Sequence, residues 1–291
     1  MHQMAPPGPG ERKPFDEEID VHGLTHIGKV RRDNQDNFLI CALRKQMVVH
    51  QTSLPEPERL GGGPERLAFL AMVADGVGGG LKGEEASRLA LEEVTLYVAG
   101  TMRCYYATGG QDDVEFTRSL QEAALQSSGE VRSRGQEDPD YQGMATTLTL
   151  FLGVWPKAYL LQVGDSRCYV FRNGELRQLT RDQTMAQELM DIGVLKPADA
   201  AGTRFARTLS SSIGGRLTDP VVTRIDMTWG AVILLCSDGL TGHVSDERIR
   251  ERLRTMSSAR QACEDLLSDA LDGGGSDNIT IIVGRALRKA D

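Results

Sequence analysis

None of the five cysteines, Cys41, Cys104, Cys168, Cys236 and Cys263, sits in a Cys-x-x-Cys pair, which argues against a zinc knuckle or a dithiol redox motif. Cys168 and Cys236 lie inside apolar runs and read as small core residues. No apolar run approaches the length of a membrane span. The opening residues MHQMAPPGPGERKP lack the apolar centre of a signal peptide. These absences predict a cytosolic protein with no membrane partner. Positive charge is also short, with 33 Lys and Arg against 41 Asp and Glu and a formal net charge of -8. Such a surface offers no electrostatic reason to bind nucleic acid or anionic lipid. His22, His26, His50 and His243 form no spaced ligand set, and His26 reads as a structural histidine.

What is present is ordinary globular composition, 40% hydrophobic and 25% charged, at a length that buries a substantial core without disulfides or a structural metal. Residues 1–16, rich in Pro, Gly and charge, read as a disordered tail, and residues 17–287 as one domain. Strands are expected over 37–43, 67–74, 146–153, 158–163, 167–172, 221–225, 231–237 and 278–283. The middle of this series is a meander with turns at Trp155-Pro156-Lys157, Gly164-Asp165-Ser166 and Arg172-Asn173-Gly174, of which Asn-Gly is the strongest turn signal. Apolar residues at helical spacing predict helices over 83–99, 116–132 and 258–271, with a shorter one near 184–192. Gln51 to Pro64, with several prolines and three consecutive glycines, is expected to be a long exposed hairpin loop. Hairpin-linked strands beside separate helices predict an α+β layered domain.

The informative feature is where the aspartates fall. Asp75 ends the run Leu-Ala-Phe-Leu-Ala-Met-Val-Ala and is followed by Gly76. Asp238 ends Val-Ile-Leu-Leu-Cys-Ser; Asp277 and Asp36 precede apolar runs, and Asp165 occupies the meander turn. A single Asp-Gly at a strand end is usually a turn. Five carboxylates at strand junctions would repel one another if the strands converge, and divalent cations would offset that charge. Glycine at 76 would let a backbone carbonyl approach an ion closely. Oxygen donors with no recurring His or Cys suit magnesium or manganese rather than zinc or copper. Arg31 and Arg32, just before Asp36, offer a guanidinium fork for phosphate.

Six segments in order carry a resemblance that spans about Ile19 to Val283. They are Gly28-Lys29-Val30-Arg31-Arg32-Asp33-Asn34-Gln35-Asp36, Val73-Ala74-Asp75-Gly76-Val77-Gly78-Gly79, Gly143-Met144-Ala145-Thr146-Thr147, Val163-Gly164-Asp165-Ser166-Arg167, Leu235-Cys236-Ser237-Asp238-Gly239-Leu240 and Gly275-Ser276-Asp277-Asn278-Ile279-Thr280. Together they resemble the metal-dependent serine/threonine phosphatases of the PPM family, also called PP2C, in its bacterial form. The resemblance implies a four-layer α-β-β-α sandwich, two mostly antiparallel central sheets flanked by helices. It implies two Mn2+ or Mg2+ ions, with Asp75 bridging them, the Gly76 carbonyl on one, and Asp238 and Asp277 completing the other. Asp36 would contact the cluster directly or through water, Arg31 would hold the substrate phosphate, and Asp165 would share a third, weaker ion with Asp238. The implied reaction is attack of a metal-bridging hydroxide on phosphorus without a phosphoenzyme. The implied partners are phosphorylated proteins, among them a serine/threonine kinase or its substrates.

The sequence also departs from that pattern. Val77 stands where many members carry a His proposed as general acid, and Gln183 replaces the His of an Asp-His-Ser-like segment. Residues 182–205 correspond to the family's flap, with Gly193, Pro197 and Gly202 suited to a mobile loop. Two rival readings accompany the leading one. One is a phosphatase dedicated to a sigma-factor regulator; the other is a catalytically silent phosphoprotein-binding relative or scaffold.

Overall fold

The computed structural model describes residues 12–45, 65–107, 113–200 and 203–288. Residues 1–11 of the expected tail and the expected loop 51–64 lie outside the described residues. Arg12–Asp16 differ from the expected tail. Arg12 donates both guanidinium nitrogens to the buried Glu18 carboxylate at 2.6 and 2.7 Å, which ties this stretch to the body.

In chain order the elements are β1 (Ile19–His26), β2 (Asp36–Lys45), β3 (Glu65–Val77), α1 (Leu81–Ala107), α2 (Asp113–Glu137), β4 (Ala145–Thr146) and β5 (Leu148–Val154). The meander continues with β6 (Lys157–Val163), β7 (Arg167–Arg172) and β8 (Glu175–Gln178), followed by α3 (Met185–Asp191), α4 (Pro197–Ala200) and β9 (Val221–Asp226). The chain closes with β10 (Val232–Cys236), α5 (Asp238–Thr241), α6 (Asp246–Thr255), α7 (Ala259–Asp272) and β11 (Ile279–Ala286). One sheet has the order β1-β11-β10-β7-β8 and the other β2-β3-β5-β6-β9, with β4 paired to the end of β3. Every strand pairing is antiparallel.

The strands read as nearly continuous apolar runs because both faces are covered. On β3, Leu70, Met72 and Ala74 pack with the α1–α2 layer, while the alternating Ala71 and Val73 pack between the sheets. On β10, Val232, Leu234 and Cys236 face α5–α7, and Ile233 and Leu235 face the other sheet. The result is the four-layer α-β-β-α sandwich. Helix α1 docks through Ala86, Ala90, Val94, Val98 and Met102, a four-residue spacing that keeps one stripe buried. Among the described residues no helix is long and apolar enough to cross a membrane.

Several boundaries differ from the sequence expectation. β3 runs through Asp75 and Gly76 to Val77, because β4 continues the ladder by pairing Gly76 with Thr146 and Val77 with Ala145. The expected strand 146–153 divides into β4 and β5, since Thr147 donates its N–H to Asp75 O at 2.9 Å. The short strand β8 and two longer elements were not anticipated. β1 is half-exposed at a sheet edge and carries His, Gly and Thr among its apolar residues, and α6 buries only Ile249 and Leu253.

Candidate metal centre

The antiparallel register gathers the carboxylates. Asp36 opens β2 directly opposite Asp75 near the end of β3. Cys236, ending β10, pairs with Arg167 at the start of β7 and Ile281 near the start of β11, so Asp238, Asp165 and Asp277 sit just beyond one common edge. The two sheets are bridged there. Ser237 Oγ, from the end of β10, and Thr280 Oγ1, from β11, donate to Asp36 Oδ2 at 2.7 and 2.8 Å.

The electrostatics confirm the crowding. Burial pushes the Asp36 carboxyl up to about 7 despite its two hydroxyl donors, with repulsion from Asp238 and Asp277 adding to the rise. Burial, then Asp238 and Asp182, pushes Asp165 up to about 8. Asp75 is held well above the usual carboxylate range by burial and then by Asp36, Asp238, Asp165 and Asp277 together. Asp238 is raised by burial and then by Asp277.

The donors fit a hard divalent cation. Asp36 Oδ1 and Asp238 Oδ1 are buried with no hydrogen-bond partner, a costly state for an anionic oxygen unless a cation or proton meets it. Only oxygens are on offer, as magnesium or manganese prefers. Among the described residues no three His, Cys, Asp or Glu side chains are drawn into a closed ligand cage. Arg31 Nη2 engages Asp277 Oδ2 at 2.6 Å with half its side chain exposed. Gly76 is required where it stands, since a Cβ there would lie 2.1 Å from Gly83 O at the start of α1.

Sequence reasoning missed the residues that hold these carboxylates. Asn278 accepts the Gln35 N–H at 2.9 Å and donates to Ile27 O and Asp33 O at 3.0 and 2.9 Å, pinning the Arg31 loop against β11. Thr147 Oγ1 accepts from the Asp75 N–H at 3.0 Å and pairs with Ser166 Oγ at 2.8 Å, joining Asp75 to the Asp165 turn. The available signal was a polar residue inside an apolar run, as with Thr280 in Ile-Thr-Ile-Ile-Val. The departures also have structural accounts. Val77 is an exposed apolar side chain. Gln183 is buried, its amide bonded to Gly164 N and Asp219 O. His26 Nδ1 accepts from Gly28 N at 2.9 Å, the expected structural role. In the expected flap, Thr184 caps α3 and Gly193 takes φ 72 just after it, while Gly202 lies outside the described residues.

A helix-flanked double sheet with buried carboxylates gathered where the sheets meet fits the class of metal-dependent phosphatases. The chain belongs to the protein phosphatase 2C family, whose pattern matches residues 62–273. That span holds Asp75, Gly76, Asp165 and Asp238; Arg31, Asp36 and Asp277 lie outside it. The serine/threonine protein phosphatase PstP of Mycobacterium tuberculosis is 34% identical over 216 residues, 74% of this chain and 40% of that protein. The chain therefore spans well under two thirds of that relative's length. A crystal structure of the M. tuberculosis phosphatase PstP/Ppp superposes with a TM-score of 0.74 and 28% identity, covering 93% of this chain and 99% of that one. A structure of the PstP catalytic domain in complex with two manganese ions gives a TM-score of 0.71 at 28% identity, covering 93% and 99%.

Proposed function

We propose that this chain removes phosphate from phosphoserine and phosphothreonine of other proteins, with two Mn2+ or Mg2+ ions held by Asp75, Gly76, Asp238 and Asp277. The observation that carries the reading is the convergence of buried, mutually repelling carboxylates, two of which keep an unpartnered oxygen. When bound, the ions supply an activated water and neutralise phosphoryl charge. Asp75 would be shared between the two ions, a role that fits its place among Asp36, Asp238, Asp165 and Asp277, all of which push its carboxyl up. Asp36 offers Oδ1 directly or through water. Asp165 and Asp238 would hold a third, exchangeable ion between them, a role supported by Asp238 being the strongest charged neighbour raising Asp165.

Arg31 stands at the rim with an exposed guanidinium, suited to a bidentate grip on a phosphate dianion. Its fork orients the ester, and positioning with charge neutralisation carries most of the catalysis. Neither Val77 nor Gln183 can hand a proton to the leaving group. The partners are phosphorylated proteins, including a serine/threonine kinase or its substrates; a sigma-factor regulator would be one substrate of the same chemistry. A silent phosphoprotein-binding relative is disfavoured because every proposed metal aspartate is kept. Cys41, Cys168, Cys236 and Cys263 are free thiols, which suits a reducing cytoplasm.

The test is hydrolysis of p-nitrophenyl phosphate and a phosphothreonine peptide with and without Mn2+. Chelation should abolish turnover, and Asp238→Ala should lower kcat by about 100-fold or more. Turnover that survives complete removal of divalent metal would overturn the reading.

A further inference from the structure

Asp36 belongs to the β2–β3 sheet, yet its carboxylate is held by hydroxyls from the other sheet. The direction of each proton in that contact follows from the neighbouring donors. Asn34 Oδ1 accepts the Asp36 N–H at 3.2 Å, which leaves the Asn34 Nδ2 end against Thr25 Oγ1 at 2.9 Å. An amide NH2 only donates, so Thr25 Oγ1 accepts there; and because Thr280 spends its single proton on the Asp36 carboxylate, the 2.8 Å contact between the two threonines is donated by Thr25 Oγ1. Thr280 in turn directs its proton to Asp36 Oδ2 at 2.8 Å. On the other side, Ser237 Oγ accepts the Thr280 N–H at 3.0 Å and gives its proton to Asp36 Oδ2 at 2.7 Å. Among the described residues its competing acceptor, Asn278 O, lies at 3.5 Å. Two O–H bonds therefore converge on Oδ2, while Oδ1 is buried and has no donor.

We infer that Ser237 and Thr280, with Thr25 and Asn34 behind Thr280, form a two-proton clamp that saturates Asp36 Oδ2 and leaves Oδ1 alone to face the cations. They are positioning residues for metal binding, acting through Asp36. The inference rests on the metal reading above. Both clamp residues are fully buried, so no water can replace a lost hydroxyl without rearrangement. Thr25 is exposed, so water can take its place.

Isothermal titration of Mn2+ into the full chain, with circular dichroism to confirm folding, separates the outcomes. Thr280→Val and Ser237→Ala should each weaken Mn2+ binding by about 10–100-fold, the usual effect of removing a ligand's supporting hydrogen bond. Thr280→Ser, which keeps the hydroxyl, should stay within about 3-fold of the parent, and Thr25→Val should lose only about 2- to 3-fold. Folded Thr280→Val or Ser237→Ala that binds Mn2+ like the parent overturns the clamp. So does Thr280→Ser that is as weak as Thr280→Val, since packing rather than the hydroxyl would then matter. If Thr280→Val does not fold, Ser237→Ala decides. A parent chain that binds no Mn2+ overturns the metal reading itself; a parent that binds with unaffected variants overturns the clamp alone.

Discussion

Gln183 uses both ends of its amide on backbone atoms: Oε1 accepts from Gly164 N at 2.7 Å and Nε2 donates to Asp219 O at 2.9 Å. Its own N–H and C=O bond Gly164 O and Ser210 N, so one buried residue ties the Asp165 turn to the segment that returns from the flap. A hydrocarbon here leaves two polar groups without partners, at about 1–3 kcal/mol each. Gln183→Leu should therefore lower the unfolding free energy in urea by about 2–6 kcal/mol. A loss below about 0.5 kcal/mol would show that water replaces the amide. The same scale separates what was readable in advance from what was not. Asp75, Asp238 and Asp277 stand out because each bounds an apolar run, where a carboxylate needs a reason. Ser237 and Thr280 do not, because hydroxyl residues are common in strands and their target lies more than two hundred residues away in sequence.

Elements show the same division. Helix α7 was legible from its apolar spacing and its start: Ser258 caps it by accepting the Gln261 N–H at 3.1 Å. Ser258→Ala should cost about 1 kcal/mol of stability with metal affinity unchanged, measured by urea unfolding and Mn2+ titration. A loss well above about 2 kcal/mol would mean that the serine does more than cap. Helix α6 is not legible in the sequence although Ser245 caps it in the same way, because two buried residues in ten make a thin apolar stripe. Its charge is organised by tertiary contact instead, with Arg248 and Arg252 both donating to Asp269 on α7. By its sequence, strand β3 is expected to end before Asp75. Only its pairing with β4 shows that the strand carries the carboxylate and glycine in regular register.

At the scale of the whole molecule, the centre sets a pH dependence. Asp36 and Asp165 have folded-state values of about 7 and about 8 against an ordinary 3.8. The folded protein keeps protons that the unfolded chain has released, so this contribution is full below the unfolded value and is lost as pH rises through the folded ones. The melting temperature of the metal-free protein should fall between about pH 5 and about pH 8. Mn2+ should raise it most at the upper end, since a cation binds the ionised native cluster and not the unfolded chain. A melting temperature flat across that range, or an Mn2+ effect confined to low pH, would contradict this account. The sequence by itself determined the layered α+β class, most strands, the main helices and the placing of five aspartates at strand junctions, because apolar periodicity and polar interruptions are local properties of the chain. Only the tertiary structure decided that Asp36 faces Asp75, that hydroxyls of one sheet grip a carboxylate of the other, and that among the described residues two buried carboxylate oxygens remain without partners. Those facts depend on register between strands distant in sequence, and register is set by the packing of whole sheets rather than by any one segment.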